Sequence, residues 1–479
     1  MRARHSITHM LAIRPLAACM ATLFATGAAM GADIPRRSGA AFHADTQGTR
    51  PLRMAAAARL GARAGGVSYH AHAPKPLGGA TIPVTSCADD NSGGTLREAV
   101  AIAADGDTVD LSALACSTIT LTQGAIAIPI AVANLALLGP TTDTLTIDGA
   151  NADRVLAHSG QGTLALTHLG IRNGSSEGTT GSSFGGCIRS AGDVSLTDTA
   201  IAHCSAGSAS VYGWGGAVSA DGGITLMHSS IADAHVVPLG GGGGMSTAFG
   251  EVVLQDSTIS GCSADRYGGA IYAYYGNISI DGSTLSDNSV AGEGGGLFSY
   301  YGNIAVGNST ISGNSAGTQG GGIRARYRLT LNNSTVAFNS AYNGGGVYLS
   351  SYAPDIVSSI VSNNTSTSGF VVDDVAGGGG LTITGSNNLI MSSEPTTPGD
   401  TLTGDPGLSA LADNGGPTWT HALGAGSIAL DAGANPDALA FDQRGSGFAR
   451  TAGIATDIGA YEDQSAGDEI FVDGFDGPE

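Results

Sequence analysis

The sequence predicts an all-β chain wound into a parallel β-helix, with a short helix capping its N-terminal end. Three observations carry that expectation. Gly268-Gly-Ala-Ile271, Gly294-Gly-Gly-Leu297 and Gly320-Gly-Gly-Ile323 set an apolar residue at intervals of 26 positions, and related copies end at Ile188, Val218, Met245 and Val347. A second phrase keeps step: Ser257-Thr-Ile259, Ser283-Thr-Leu285, Ser309-Thr-Ile311 and Ser334-Thr-Val336, followed three residues on by Cys262, Asn288, Asn314 and Asn339. Glycine supplies 76 of 479 residues, more than twice the usual ~7%. A fixed period of this length means stacked units, none of which buries its apolar face alone.

Each unit reads as short strands between sharp turns. Ile278-Ser-Ile280, Ile304-Ala-Val306 and Leu329-Thr-Leu331 alternate apolar with small or polar residues, the period of a strand with one buried face. Helical repeats would be penalised at this density of glycine and β-branched residues. The spacing is too short for propeller blades, and no WD or kelch signature occurs. The Asn288, Asn314 and Asn339 column is expected to form an internal amide ladder that satisfies backbone groups at a turn.

The regular copies predict coils over residues 151–375, preceded by a cap and first coils over 81–150. Strands are expected at 108–111, 118–122, 135–138 and 145–147. Gly93-Gly-Thr-Leu-Arg-Glu-Ala-Val100 opens an amphipathic helix with Leu96, Val100 and Ala103 on one face. Such a helix would cover the first open sheet edge. Residues 33–80 read as a linker, 376–462 as a distinct C-terminal region, and 463–479 as an acidic, aromatic tail. Residues 1–32 read as an export signal: Arg2, Arg4 and Arg14 precede an uncharged apolar run from Leu16 to Ala32, with small residues for cleavage after 29 or 32. Leu16-Ala-Ala-Cys19 is similar to a lipobox, but the run continues well past the cysteine. No other stretch is long and apolar enough for a membrane helix.

Composition narrows the partners. Only 13% of residues are charged while 42% are hydrophobic, which suits an ordered, apolar-cored chain. A net charge of −20 argues against nucleic acid, whose phosphates need a basic face. Cys87 and Cys116 flank the cap and are the disulfide candidate. Cys204 and Cys262 share the asparagine column two coils apart, too far for a bond, and are expected as buried thiols; Cys187 also lies in the repeats. No Cys/His spacing suggests zinc, and no metal or cofactor is expected.

Three parts of the chain bear a family resemblance. Val84-Thr-Ser-Cys87 with Gly94-Thr-Leu-Arg-Glu-Ala99 resembles the cap of bacterial surface proteins with the CSLREA domain, although Cys-Ala-Asp departs from that pattern. Asp405-Pro-Gly-Leu408, Leu411-Ala-Asp-Asn-Gly-Gly-Pro-Thr418, Thr420-His-Ala-Leu423, Gly426-Ser427, Asp431-Ala-Gly433, Asp442-Gln-Arg-Gly445 and Asp457-Ile-Gly-Ala-Tyr-Glu462 look like the choice-of-anchor Q family. The glycine and Asn-Ser-Ala phrases resemble the repeats of polymorphic outer-membrane proteins, without the barrel that ends those proteins. The resemblance implies a secreted or surface-displayed right-handed β-helix, and no reaction.

Enzymes on such scaffolds need convergent carboxylates, and acids are sparse here. Asp256 and Asp281 precede Ser-Thr phrases, where turn solvation accounts for them. Gly313-Asn-Ser-Ala-Gly317 matches a nucleophile-elbow pattern but lacks the strand–turn–helix that the chemistry requires. Asp442, Arg444, Arg450 and Asp457 are expected as ion pairs closing the C-terminal coil. No catalytic residue is assigned; a polysaccharide lyase or glycoside hydrolase is the alternative reading.

Aligning the copies brings out aromatic columns. One position after the apolar residue stand Tyr272, Phe298, Arg324 and Tyr348; three after it, Tyr274, Tyr300 and Arg326; four after it, Phe249, Tyr275, Tyr301 and Tyr327. Alternation turns the first two columns outward when Ile271 faces in. Tyr272, Tyr274, Phe298, Tyr300, Arg324 and Arg326 are therefore expected as one exposed patch, with Arg328 beside it. Such a patch is either a stabilising ladder of rings or a platform for an extracellular or cell-surface polysaccharide. The expected role is structural, adhesive or glycan-binding.

Overall fold

The computed structural model describes residues 78–142, 144–177, 182–369 and 372–465. The expected signal, nearly all of the linker and most of the tail lie outside these residues. The fold is a parallel β-helix. Its regular coil carries four strands, here called faces one to four: Ile271–Ala273, Ile278–Asp281, Thr284–Ser286 and Ser289–Val290 in the coil that starts at Ile271. Coil upon coil, they build sheets of ten, eleven, eleven and eight strands. Ile271 pairs with Leu297, Leu297 with Ile323, and Ile323 with Val347, all in parallel. One 26-residue repeat is thus one coil.

The core follows from alternation. Ile271, Leu297, Ile323 and Val347 of face one, Ile278 and Ile280 of face two, and Leu285 and Ile311 of face three are all buried in a single cluster. The glycine pair makes the corner into face one. Gly268, Gly294, Gly320 and Gly344 have φ of 59°, 76°, 67° and 60°, a region that side-chain-bearing residues resist. At Gly268 an added Cβ would collide with the Ile271 carbonyl oxygen.

Two polar columns run inside the stack. The asparagine ladder forms: Asn288 Nδ2 donates to Asn314 Oδ1, Asn314 Nδ2 to Asn339 Oδ1 and Asn339 Nδ2 to Asn364 Oδ1, each at 2.9 Å. Asn364 Nδ2 ends the series on Asp374 Oδ1, also at 2.9 Å. The serines of the Ser-Thr phrase form a second ladder, in which the backbone N–H of Ser257 donates to Ser283 Oγ and that of Ser283 to Ser309 Oγ, both at 3.0 Å. A parallel solenoid must pair backbone groups at every corner, and these short side chains do it from within.

The N-terminal cap is a helix, Leu96–Ile102, that buries Leu96, Ala99 and Val100. Thr95 caps it, accepting from the Glu98 N–H at 3.3 Å, while Glu98 Oε2 accepts from the Gly94 N–H at 2.8 Å. Ala103 is the C-cap rather than a member of the helical face. Cys87 and Cys116 are joined by a disulfide. A second disulfide joins Cys187 to Cys204, which corrects the expectation of a thiol at Cys204. Its partner lies across the same coil, not along the stack. Cys262 is a free, buried thiol.

The C-terminal region folds back over face three. Thr284 Oγ1 donates to the Trp419 carbonyl at 2.6 Å, Thr310 Oγ1 to Gln443 Oε1 at 2.6 Å, and Thr335 Oγ1 accepts from the Ala460 N–H at 3.1 Å. The threonines of the Ser-Thr phrase face outward and dock this segment. Arg444 pairs with Asp442 at 2.6 Å and lies between the Phe448 and Tyr461 rings. Arg450 takes the Asp457 carbonyl at 2.7 Å, but its carboxylate partner is Glu462, at 3.6 Å, not Asp457.

Candidate functional site

The corner between faces four and one brings side chains together on the outside of the helix. Tyr267 precedes the Gly268 bend and Tyr272 follows it, yet their ring centroids are 5.4 Å apart. Outward side chains on either side of a bend can meet only where the bend is concave. Trp214 meets Tyr272 from the same side, tilted by 30° at 5.4 Å, and Tyr267 reaches Phe298 at 5.4 Å. Glu293, one coil above Tyr267, closes on Arg324 with Nε at 2.9 Å from Oε2.

This geometry corrects the expected exposure of half the patch. Tyr272, Phe298 and Arg324 do point away from the core and pair in register, but they are 5%, 0% and 5% exposed. Alternation set their direction; residues across the concave corner cover them. Burial, reinforced by the tyrosines at 267, 274 and 300, pushes the Tyr272 hydroxyl pKa up. Burial also lowers the Arg324 pKa, against the pull of Glu293. These three side chains form a small second core. Tyr274, Tyr300 and Arg326 stay half-buried on its rim.

The accessible surface belongs to the turn after face one. Phe249, Tyr275, Tyr301, Tyr327 and Tyr352 form a ring column along the stack. Phe249 lies on Tyr275 at 5.7 Å and 6°, Tyr275 on Tyr301 at 5.0 Å and 14°, and Tyr327 on Tyr352 at 5.4 Å and 18°. Rings stacked in this way hide their faces from solvent and show their edges. One step differs: Tyr301 and Tyr327 are 6.3 Å apart and tilted by 55°. At that break a groove opens, lined by Tyr300, Tyr301, Arg326, Tyr327, Ser350, Ser351 and Tyr352. The Arg326 guanidinium lies 4.1 Å from the Tyr300 ring centroid, a cation–π distance.

Carboxylates do not converge on this groove. Glu293, which reaches the aromatic cluster, is bound to Arg324. Burial and the charges of Asp256 and Asp437 push the Asp281 carboxyl up to about 6, but Asp281 ends the face-two strand, at the far side from the tyrosine turn. A separate corner column alternates imidazole and carboxylate. His168 lies 3.4 Å from Asp198, and His228 bridges Asp198 at 3.8 Å and Asp256 at 3.5 Å. Among the described residues no group of three or more His, Cys, Asp or Glu side chains could hold a metal ion.

Sequence columns located Tyr274, Tyr300 and Arg326 on the rim, and overlooked Trp214, Tyr267 and Glu293, which cover the inner residues. The signal was present, since Tyr267 and Glu293 stand one residue before their glycine pairs at the same period.

No protein-family model and no curated protein matches the chain. Among solved structures, the crystal structure of pectate lyase Pel9A is similar over 80% of this chain and 96% of that one, at 14% identity and a TM-score of 0.41. A likeness of that size carries no argument about chemistry. Among the described residues, no helix is long and apolar enough to cross a membrane.

Proposed function

We propose that this chain is an exported, surface-associated β-helix protein that binds glycan in the groove between Tyr301 and Tyr327. The break in the ring column is the observation that carries the reading. Elsewhere the rings stack on one another; here four tyrosines and two serines line an open groove with Arg326. Apolar walls with convergent hydroxyls suit a sugar, which offers both C–H surface and hydroxyl groups. Export is supported by the apolar run from Leu16 to Ala32 behind three arginines and by two disulfides, which fit an oxidising compartment. The resemblance to choice-of-anchor Q surface proteins points the same way. A lyase or hydrolase would need carboxylates aimed into the groove, and Glu293 is committed to Arg324.

A glycan array probed with the exported chain and with a Tyr301→Ser/Tyr327→Ser variant tests the reading. Binding by the wild type, lost in the variant at a nearly unchanged melting temperature, is the expected result. An array on which the wild type binds nothing would remove the proposal, as would a variant that binds equally well.

A further inference from the structure

We infer that the groove selects glycans bearing an anionic substituent, a carboxylate or a sulfate, and that Arg326 reads it. The inference rests on the glycan-binding reading above and adds the ligand's charge to it. Arg324 and Arg326 stand two residues apart on the same outward side, yet their charges are differently engaged. Arg324 is buried, with Nε on Glu293 at 2.9 Å and one NH2 group on the Ala325 carbonyl at 3.2 Å. Arg326 is half-buried and lies over the Tyr300 ring, 4.1 Å from its centroid. It joins no ion pair among the described residues. A guanidinium held over a ring by cation–π attraction engages the ring through its charge and has five N–H donors, so it can hold a ring and an anion at once.

The rest of the groove agrees. Its lining holds tyrosine and serine side chains and no carboxylate, in a chain whose net charge is −20. Arg326 is the charged residue of that lining, so a negative group on a bound ligand meets a cation there and no carboxylate. The surrounding charge repels a long polyanion, so the contact must be short-ranged, and short oligosaccharides should reveal it best.

The test uses titration calorimetry on the full exported chain with two pairs of probes: alginate oligosaccharides against their carboxyl-reduced forms, and sulfated against unsulfated dextran oligosaccharides. A charge-assisted bond to guanidinium predicts that one anionic probe binds about tenfold or more tightly than its neutral counterpart. The pair that shows the preference names the substituent. Arg326→Gln should erase the preference, while Arg326→Lys should keep some of it. Circular dichroism checks that both variants are folded, and the probe comparison on the wild type does not depend on any variant. Equal affinity of charged and neutral probes, with binding still dependent on Tyr301 and Tyr327, would overturn the role of charge and leave glycan binding standing. A folded Arg326→Gln protein that keeps the preference would overturn the role of Arg326. Absence of binding to any probe and to the array would remove both readings.

Discussion

Both ends of the Asn314 amide are occupied. Its Nδ2 donates to the Leu285 carbonyl at 3.0 Å and to Asn339 Oδ1 at 2.9 Å, while its Oδ1 accepts from Asn288 N and Nδ2 at 3.0 and 2.9 Å. Asn314→Ala would leave the Asn288 backbone N–H without its acceptor in a dry interior and take the Leu285 carbonyl's amide donor, while Asn288 Nδ2 keeps the Ile259 carbonyl at 3.0 Å. The expected loss is about 2 kcal/mol, within the roughly 1–3 kcal/mol of one orphaned group, read as a lower denaturant midpoint. A midpoint that does not move would show the ladder to be dispensable. The Cys187–Cys204 bond closes a loop with a sequence separation of 17, so replacing both cysteines by serine should cost about 3 kcal/mol. Reductant should then lower the melting temperature of the double variant less than that of the wild type. Asp281 makes a pH-dependent contribution whose sign follows from its direction of shift. Burial and neighbouring carboxylates raise its pKa from 3.8 to about 6, so the folded chain holds the proton more tightly than the unfolded one. Its contribution is full below pH 3.8 and is lost as pH rises through about 6. Wild-type stability should therefore decline across that window relative to Asp281→Asn. Parallel pH profiles for the two proteins would contradict the assignment.

Among the elements, the glycine corner sets the site. Gly294 has φ of 76°, and an added Cβ would lie 2.6 Å from the Leu297 carbonyl oxygen and 2.8 Å from Phe298 Cβ. Gly294→Ala should cost about 2 kcal/mol through backbone strain and collision, whereas Gly379→Ala, with open space around it, should be neutral. Equal melting temperatures for the two variants would rule this out. The corner also explains what could be read from the chain alone. Ile271, Leu297 and Ile323 recur at one interval because these coils are equally long and stack in register, so the period exposes both the coil and its inward face. The asparagine column was legible for the same reason, as a polar residue repeated within an apolar frame. Burial of Tyr272 and Phe298 was not legible, because alternation fixes a side chain's direction but not what stands across a bend. The Cys187–Cys204 bond was hidden by comparing column positions between coils. Within a coil, the asparagine column faces the residue after the glycine pair: a Cβ on Gly244 would lie 3.4 Å from Cys262 Sγ, and one on Gly296 3.4 Å from Asn314 Cγ. Two cysteines at those facing positions can bond. The docking of the C-terminal region had no column to betray it, since its sequence does not repeat.

At the scale of the whole molecule, a stack of coils behaves as a line of neighbours, each held by the coil on either side. The C-terminal segment changes that along some of the line. Its hydrogen bonds reach Gly282 from Thr418 at 2.8 Å, Ser312 from His421 at 2.8 Å, Asn333 from Ala434 at 2.8 Å and Ser358 from Ala434 at 2.9 Å. Coils from Gly282 onward are thereby tied across several neighbours at once, while the coils carrying Ile201 and Ile231 rely on adjacent strands. Amides around Leu285 and Ile311 should exchange with deuterium more slowly than those around Ile201 and Ile231, and Gln443→Ala should narrow the gap. Uniform exchange along the stack would deny the strap any such effect. The molecule is, in effect, a zipper with a locked end, and opening has a direction. Tyr301, Tyr327 and Tyr352 lie on coils within the locked half. A load applied through any ligand held there would pull on coils tied to several neighbours at once, so the contact with the ligand would fail before the scaffold came undone.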